Sequence, residues 1–111
     1  MATEIEQQAF IKQIAPAAVA GMKRTGVLAS LAIAQAIKES GWGQSGLTKA
    51  ANNLFGYKGT YNGASVSYPT KEWNGSQYVS VTAQFLKYPS WKESIDDYFA
   101  LITGASRYSA V

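Results

Sequence analysis

The chain has 111 residues, 47% of them hydrophobic and 15% charged, with ten Lys and Arg against seven Asp and Glu and neither Cys nor His. That length suits one domain with a real core, so residues 1–111 are expected to form a single unit that needs no staples. Without Cys there are no disulfides, thiolate nucleophiles or Cys-ligated zinc, and without His there is no Ser-His-Asp, Cys-His or HExxH chemistry; an enzyme on this chain works with carboxylates, tyrosines, lysines or backbone groups.

Thr3 followed by Glu6 forms a capping-box pattern, so a helix is predicted to start near Glu4, with Phe10, Ile11 and Ile14 as its apolar stripe. Pro16 suits the first turn of a second short helix and Gly26 its stop. A third helix is predicted from about Ser30, with Leu31, Ile33, Ala34 and Ile37 on its apolar face and Gly41 and Gly43 at its end. Turn-forming Gly59, Asn62 and Gly63 precede a β-like segment, and Trp73-Asn74-Gly75-Ser76 carries the Asn-Gly hairpin signal. Val79, Val81, Ala83 and Phe85 alternate with polar residues as in a half-buried strand. Ser90 and Glu93 form a second capping-box pattern, opening a helix with Trp91, Ile95, Tyr98, Phe99 and Ile102 on one face. The expected fold is α+β: a helical body with one β-hairpin set into it.

Most of the acids have structural roles to play. Glu4 and Glu6 offset a helix dipole, Glu93 belongs to a capping box, and Asp96 and Asp97 are expected to be solvated or dipole-complementing. Glu39 is different, because it falls in the last turn of an apolar helix, beside the negative end of the macrodipole, with Ser40-Gly41-Trp42-Gly43 following. That dipole, and burial against the Trp42 ring, would penalise the charged form, which is what a general acid near neutral pH requires. An ordinary exposed glutamate at a helix end is the alternative. Glu72 lies on the first strand of the hairpin, from which a carboxylate can face a helix end across a cleft, as in the two-acid arrangement of glycoside hydrolysis; the alternative is a solvent-facing strand residue.

Aromatic residues, including Trp42, Phe55, Tyr57, Tyr61, Tyr68 and Trp73, are frequent in the non-helical stretches and could line a groove for the apolar faces of sugar rings, or pack the core. The basic residues are spread from Lys12 to Arg107 rather than clustered, so nucleic acid is not expected as a partner. The apolar stretch from Val27 to Ile37 is too short for a membrane span, and no signal peptide is recognisable at the N-terminus. Oligomeric state cannot be read from these features.

Ala34-Gln35-Ala36-Ile37-Lys38-Glu39-Ser40-Gly41-Trp42-Gly43 resembles the AQAxxESGWG signature of the glucosaminidase family of peptidoglycan hydrolases, which includes flagellar-rod muramidase-type domains, autolysins and phage endolysins. Asn53-Leu54-Phe55-Gly56-Tyr57-Lys58-Gly59 resembles the family's NLFGxKG loop, and Phe85-Leu86-Lys87-Tyr88 with Ser94-Ile95-Asp96-Asp97-Tyr98 resembles its FxxY…SxxDY segment. The resemblance runs from about Phe10 to the end of the chain. It implies a lysozyme-like fold and cleavage of the β-1,4 bond after N-acetylglucosamine in bacterial cell-wall glycan. It also implies Glu39 as general acid, Glu72 as the second, hairpin-borne acid, and no metal or cofactor. Trp42, Phe55, Tyr57, Trp73 and Tyr98 are the expected substrate-binding residues. Family domains usually continue past the pair that Arg107-Tyr108 resembles, so the resemblance implies a catalytic domain truncated at its C-terminus. The rival readings are a non-catalytic peptidoglycan-binding module and a lytic transglycosylase or muramidase. Acting on the cell wall without a signal peptide fits a phage lysin released at lysis, or a domain of a larger secreted protein.

Overall fold

A computed structural model describes residues 2–104; the Arg107-Tyr108 pair lies outside them. The elements are α1 (Glu4–Thr25), α2 (Ala29–Ser40), α3 (Gly46–Ala51), β1 (Ser65–Trp73), β2 (Tyr78–Leu86) and α4 (Trp91–Ile102). The two strands form an antiparallel hairpin, and the helices pack around Phe10, Ile14, Leu54, Ile95 and Phe99. No helix among the described residues is long and apolar enough to cross a membrane.

The Thr3–Glu6 capping box forms in full, with Glu6 N donating to Thr3 Oγ1 at 3.2 Å and Thr3 N donating to Glu6 Oε1 at 2.9 Å. The backbone hydrogen bond from Thr3 lowers the pKa of the Glu6 carboxyl. Pro16 does not begin a second helix: α1 runs through it to Thr25. Pro16 and Lys12 both lie on the exposed face, where water can take the Lys12 carbonyl that a proline nitrogen leaves unpaired, and Ile14 and Ala18 are buried on either side of the break in the ladder.

The buried face of α2 also differs from the expected one. Leu31 is 45% exposed, and the fully covered positions are Ala32, Ala36 and Ser40. Small side chains allow α1 and α4 to approach α2 closely, so residue size rather than hydropathy selects the inner face. Gly21 serves the same end on α1, since a Cβ there would lie 2.3 Å from the Phe99 ring of α4.

The hairpin is where expected, but its turn is not the two-residue Asn-Gly type. Asn74, Gly75, Ser76 and Gln77 make a four-residue loop closed by Asn74 Oδ1, which accepts from Ser76 N at 3.0 Å and Gln77 N at 2.9 Å. The tight Asn-Gly turn sits earlier, at Asn62 and Gly63, with φ of 49° and 83°, between the paired residues Tyr61 and Ala64. Pro69 is tolerated within β1 because a two-stranded sheet has only edge strands.

The second capping box is incomplete. Ser90 is the N-cap of α4 without a side-chain cap bond, and its Oγ donates instead to the Glu93 carboxylate, lowering that carboxyl's pKa. Ile102 is 48% exposed rather than on the buried face. Asp97 is not solvated: it is buried and accepts a 2.5 Å hydrogen bond from the Tyr88 hydroxyl, the partner a carboxylate needs inside a core. The short helix α3 carries no apolar periodicity long enough to mark it in the sequence.

Candidate active site

Helix α2 ends at Ser40 because three successive residues, Gly41, Trp42 and Gly43, take the left-handed conformation, with φ of 56°, 61° and 77°. The Ser40 hydroxyl fastens this reversal, donating to Ala36 O at 2.6 Å and accepting from Gly43 N at 2.9 Å. A Cβ on Gly43 would lie 2.8 Å from the Trp91 ring, so the turn is also held by close packing. The tight reversal carries the chain from α2 straight into α3, leaving Glu39 at the mouth of a cleft.

That cleft, about 370 Å³ in volume, lies between the end of α2, the start of α3, the 53–58 loop and the near part of the hairpin. Its lining combines the Glu39 carboxylate with the rings of Phe55, Tyr68 and Phe85 and with polar Ser45, Asn53 and Thr70. Among the described residues none forms a hydrogen bond or ion pair with the Glu39 carboxylate. Glu39 is exposed, and the expected burial against Trp42 is absent: Trp42 turns away to pack edge-on to Phe10, with ring centroids 6.3 Å apart. Its ring packs against the hydrophobic core, whereas the rings beside Glu39 come from the loop and the hairpin.

The loop wall is built around one side chain. Asn53 is 2% exposed; its Nδ2 donates to Tyr57 O and Leu86 O, each at 2.9 Å, and its Oδ1 accepts from Gly56 N at 2.9 Å and Tyr57 N at 3.1 Å. All its hydrogen-bonding capacity is thereby spent on fixing the 54–57 turn to the end of β2. Leu54 N in turn donates to Ser94 Oγ of α4 at 3.1 Å. Phe55 consequently faces the cleft, supported from behind by Tyr98, whose ring stacks on it at 4.6 Å.

The other wall depends on a missing side chain. A Cβ on Gly46, the first residue of α3, would lie 1.8 Å from Tyr68 Oη. Gly46→Ala should therefore push Tyr68 out of the cleft and cost about 1–3 kcal/mol in chemical denaturation. Adding Tyr68→Phe, which leaves a ring carbon 3.1 Å from that Cβ as the nearest atom, should recover most of the loss.

Of the expected site residues, the fold brings Glu39 and Phe55 into this cleft and leaves the rest around it. Glu72 stands at the rim on β1, ion-paired to Lys58, a cleft-lining residue. Tyr57 also stacks on Phe55, at 5.6 Å, and lines an adjoining apolar hollow with Leu101 and Ile102. Trp73 is at the distal end of the hairpin, 59% exposed and edge-on to Tyr78 across the strands. Tyr98 is 2% exposed and its hydroxyl has no hydrogen-bond partner among the described residues; burial raises its pKa. Tyr98→Phe should then keep the Phe55 stack and leave stability unchanged or raise it by up to about 1–3 kcal/mol, the usual penalty of an unsatisfied buried hydroxyl; a thermal melt checks this. Lys58, Tyr68, Thr70 and Phe85 join the site without having been singled out for it. Tyr68 was recognisable only as one of several non-helical aromatics, and Phe85 as an inward residue of an alternating strand.

A helical body with a hairpin closing one side of an acid-bearing cleft defines a lysozyme-like glycosidase domain. The chain belongs to the glucosaminidase family, described as mannosyl-glycoprotein endo-β-N-acetylglucosaminidase, whose model matches residues 15–111. It is 49% identical over 94 residues to an N-acetylmuramoyl-L-alanine amidase domain-containing protein of Staphylococcus aureus, an alignment covering 84% of this chain and 15% of that protein. It is 40% identical over 104 residues to the exo-glucosaminidase LytG of Bacillus subtilis, covering 94% of this chain and 37% of LytG. The catalytic domain of the autolysin Auto from Listeria monocytogenes superposes with a TM-score of 0.86 at 41% identity, over 97% of this chain and 62% of that one. The chain thus spans well under half of the curated relatives' length.

Proposed function

We propose that residues 1–111 form one catalytic unit that hydrolyses the β-1,4 bond following N-acetylglucosamine in bacterial peptidoglycan. The observation carrying this reading is the Glu39 carboxyl at the end of α2, without a hydrogen-bond or ion-pair partner among the described residues and opening into a cleft walled by Phe55, Tyr68 and Phe85. A sugar ring presents apolar C–H faces to such rings and hydroxyls to neighbours such as Ser45 and Thr70. Exposure in the free protein is compatible with the role, because a bound glycan would itself exclude water from the cleft.

In the proposed reaction the protonated Glu39 carboxyl gives its proton to the glycosidic oxygen as the bond from the anomeric carbon breaks. Positive charge develops on the ring carbon and oxygen, and water adds to that carbon, releasing a proton. Glu72 is the hairpin-borne carboxylate for that second half, as charge stabiliser or as base; participation by the substrate's own N-acetyl oxygen would give the same product. The proposed place of action is the bacterial cell wall.

Mass spectrometry of purified peptidoglycan digested by the protein tests the reading. Reducing N-acetylglucosamine ends are expected. Reducing muramic acid ends would make it a muramidase, 1,6-anhydro ends a transglycosylase, and binding without new ends a non-catalytic wall module.

A further inference from the structure

We propose that Lys58 is a positioning residue, a cationic latch that holds the distal hairpin, and with it Glu72, over the cleft. This rests on the assignment of Glu72 to the proposed reaction. Lys58 is itself well anchored. It follows the turn fixed by Asn53 and pairs with Phe85 on the free edge of β2, where Leu86 N donates to Tyr57 O at 3.1 Å and Gly59 N to Gln84 O at 3.0 Å.

The hairpin beyond it is not anchored. Residues 71–78 are all exposed, and outside the hairpin Lys58 is the one hydrogen-bonding or ion-pairing partner of residues 71–80 among the described residues. A two-stranded ribbon without a packed face is marginally stable in its own right, so one tie has leverage over where it lies.

The register shows what the tie accomplishes. Phe85, opposite Lys58 on one edge of β2, is opposite Val66 on the other, and Glu72 lies six residues further along β1. In a flat hairpin that offset would be about 20 Å along the strand, beyond the combined reach of the two side chains. They meet only because the hairpin departs from a flat ribbon and bends back toward Lys58, itself a residue of the cleft lining. Removing the ammonium would let the ribbon relax outward and withdraw Glu72.

The chain has no Cys, so Lys38→Cys on α2 and Ser76→Cys at the hairpin end give a unique spin-label pair for distance measurement. One narrow distribution is expected in the parent and in Lys58→Arg. In Lys58→Met and in Glu72→Gln the distribution should lengthen and broaden alike. An unchanged distribution in Lys58→Met overturns the latch. In unlabelled protein, release of reducing ends from peptidoglycan should fall about two- to fivefold in Lys58→Met, the range set by an exposed ion pair. Arg should restore it, and Lys58→Met should make no further difference in a Glu72→Gln background. A further loss in that background would mean that Lys58 acts on the substrate directly, and would also overturn the latch. The distances stand apart from turnover: failure of the Glu39 assignment leaves them unchanged, and failure of the latch leaves that assignment standing.

Discussion

Glu39→Gln should lower the release of reducing ends from purified peptidoglycan by roughly 10²–10⁴-fold, the usual contribution of one positioned proton donor. The carboxamide keeps the shape and most of the hydrogen-bonding capacity of the side chain but has no proton to give at neutral pH. The fold should be untouched, because Glu39 is exposed and has no hydrogen-bond or ion-pair partner among the described residues. Its place at the negative end of α2 makes the neutral variant equal to the parent or slightly more stable in a thermal melt. Turnover at the parental rate would remove Glu39 from the mechanism, and a collapsed melt would show that the carboxylate supports the fold instead.

Asn53→Ala should have the largest effect on stability of any single polar substitution near the cleft. It removes the four hydrogen bonds made by the Asn53 amide, and it leaves Leu86 O and the 56–57 amides to find new partners in a largely covered place. An unsatisfied buried group costs about 1–3 kcal/mol, and with more than one stranded the expected loss is roughly 3 kcal/mol. Asn53→Asp should not rescue it, since a carboxylate cannot donate to Tyr57 O and Leu86 O and would face them with negative charge. Urea unfolding checks both variants. Activity should fall with stability even where the protein remains folded, because Phe55 and Lys58 are placed by the turn that Asn53 closes.

The sequence motifs prove to be parts of one connected wall. Ser40 of the first fixes the reversal after Glu39, and Asn53 of the second joins its own loop to Leu86. In the third, Tyr88 donates to Asp97, while Ser94 accepts from Leu54 N. Such residues are legible in a sequence because each does a job few side chains can do: an amide that donates and accepts at once, a hydroxyl within reach of a turn, a glycine with left-handed backbone. The placement of Glu39 at a helix end was readable for the same reason, through the glycines that stop α2.

What was misread has one cause in several forms. Pro16 carries a local signal for a helix start, and Asn74-Gly75 one for a tight turn. In the structure helix packing around Ile14 and Ala18 and the pairing of β1 with β2 prevailed over them. Asp97 looks like a surface acid until Tyr88, nine residues earlier, is brought beside it.

By itself the sequence determined the helical body, the hairpin, the stop after Glu39 and the kinship of the chain, all of which depend on residues close together along the backbone. Tertiary structure alone decided that Trp42 supports the core while Phe55, Tyr68 and Phe85 wall the cleft, and that Lys58 meets Glu72. Those outcomes turn on which surfaces come within a few ångströms after the chain has folded back on itself, and neither side-chain chemistry nor spacing along the chain encodes that distance.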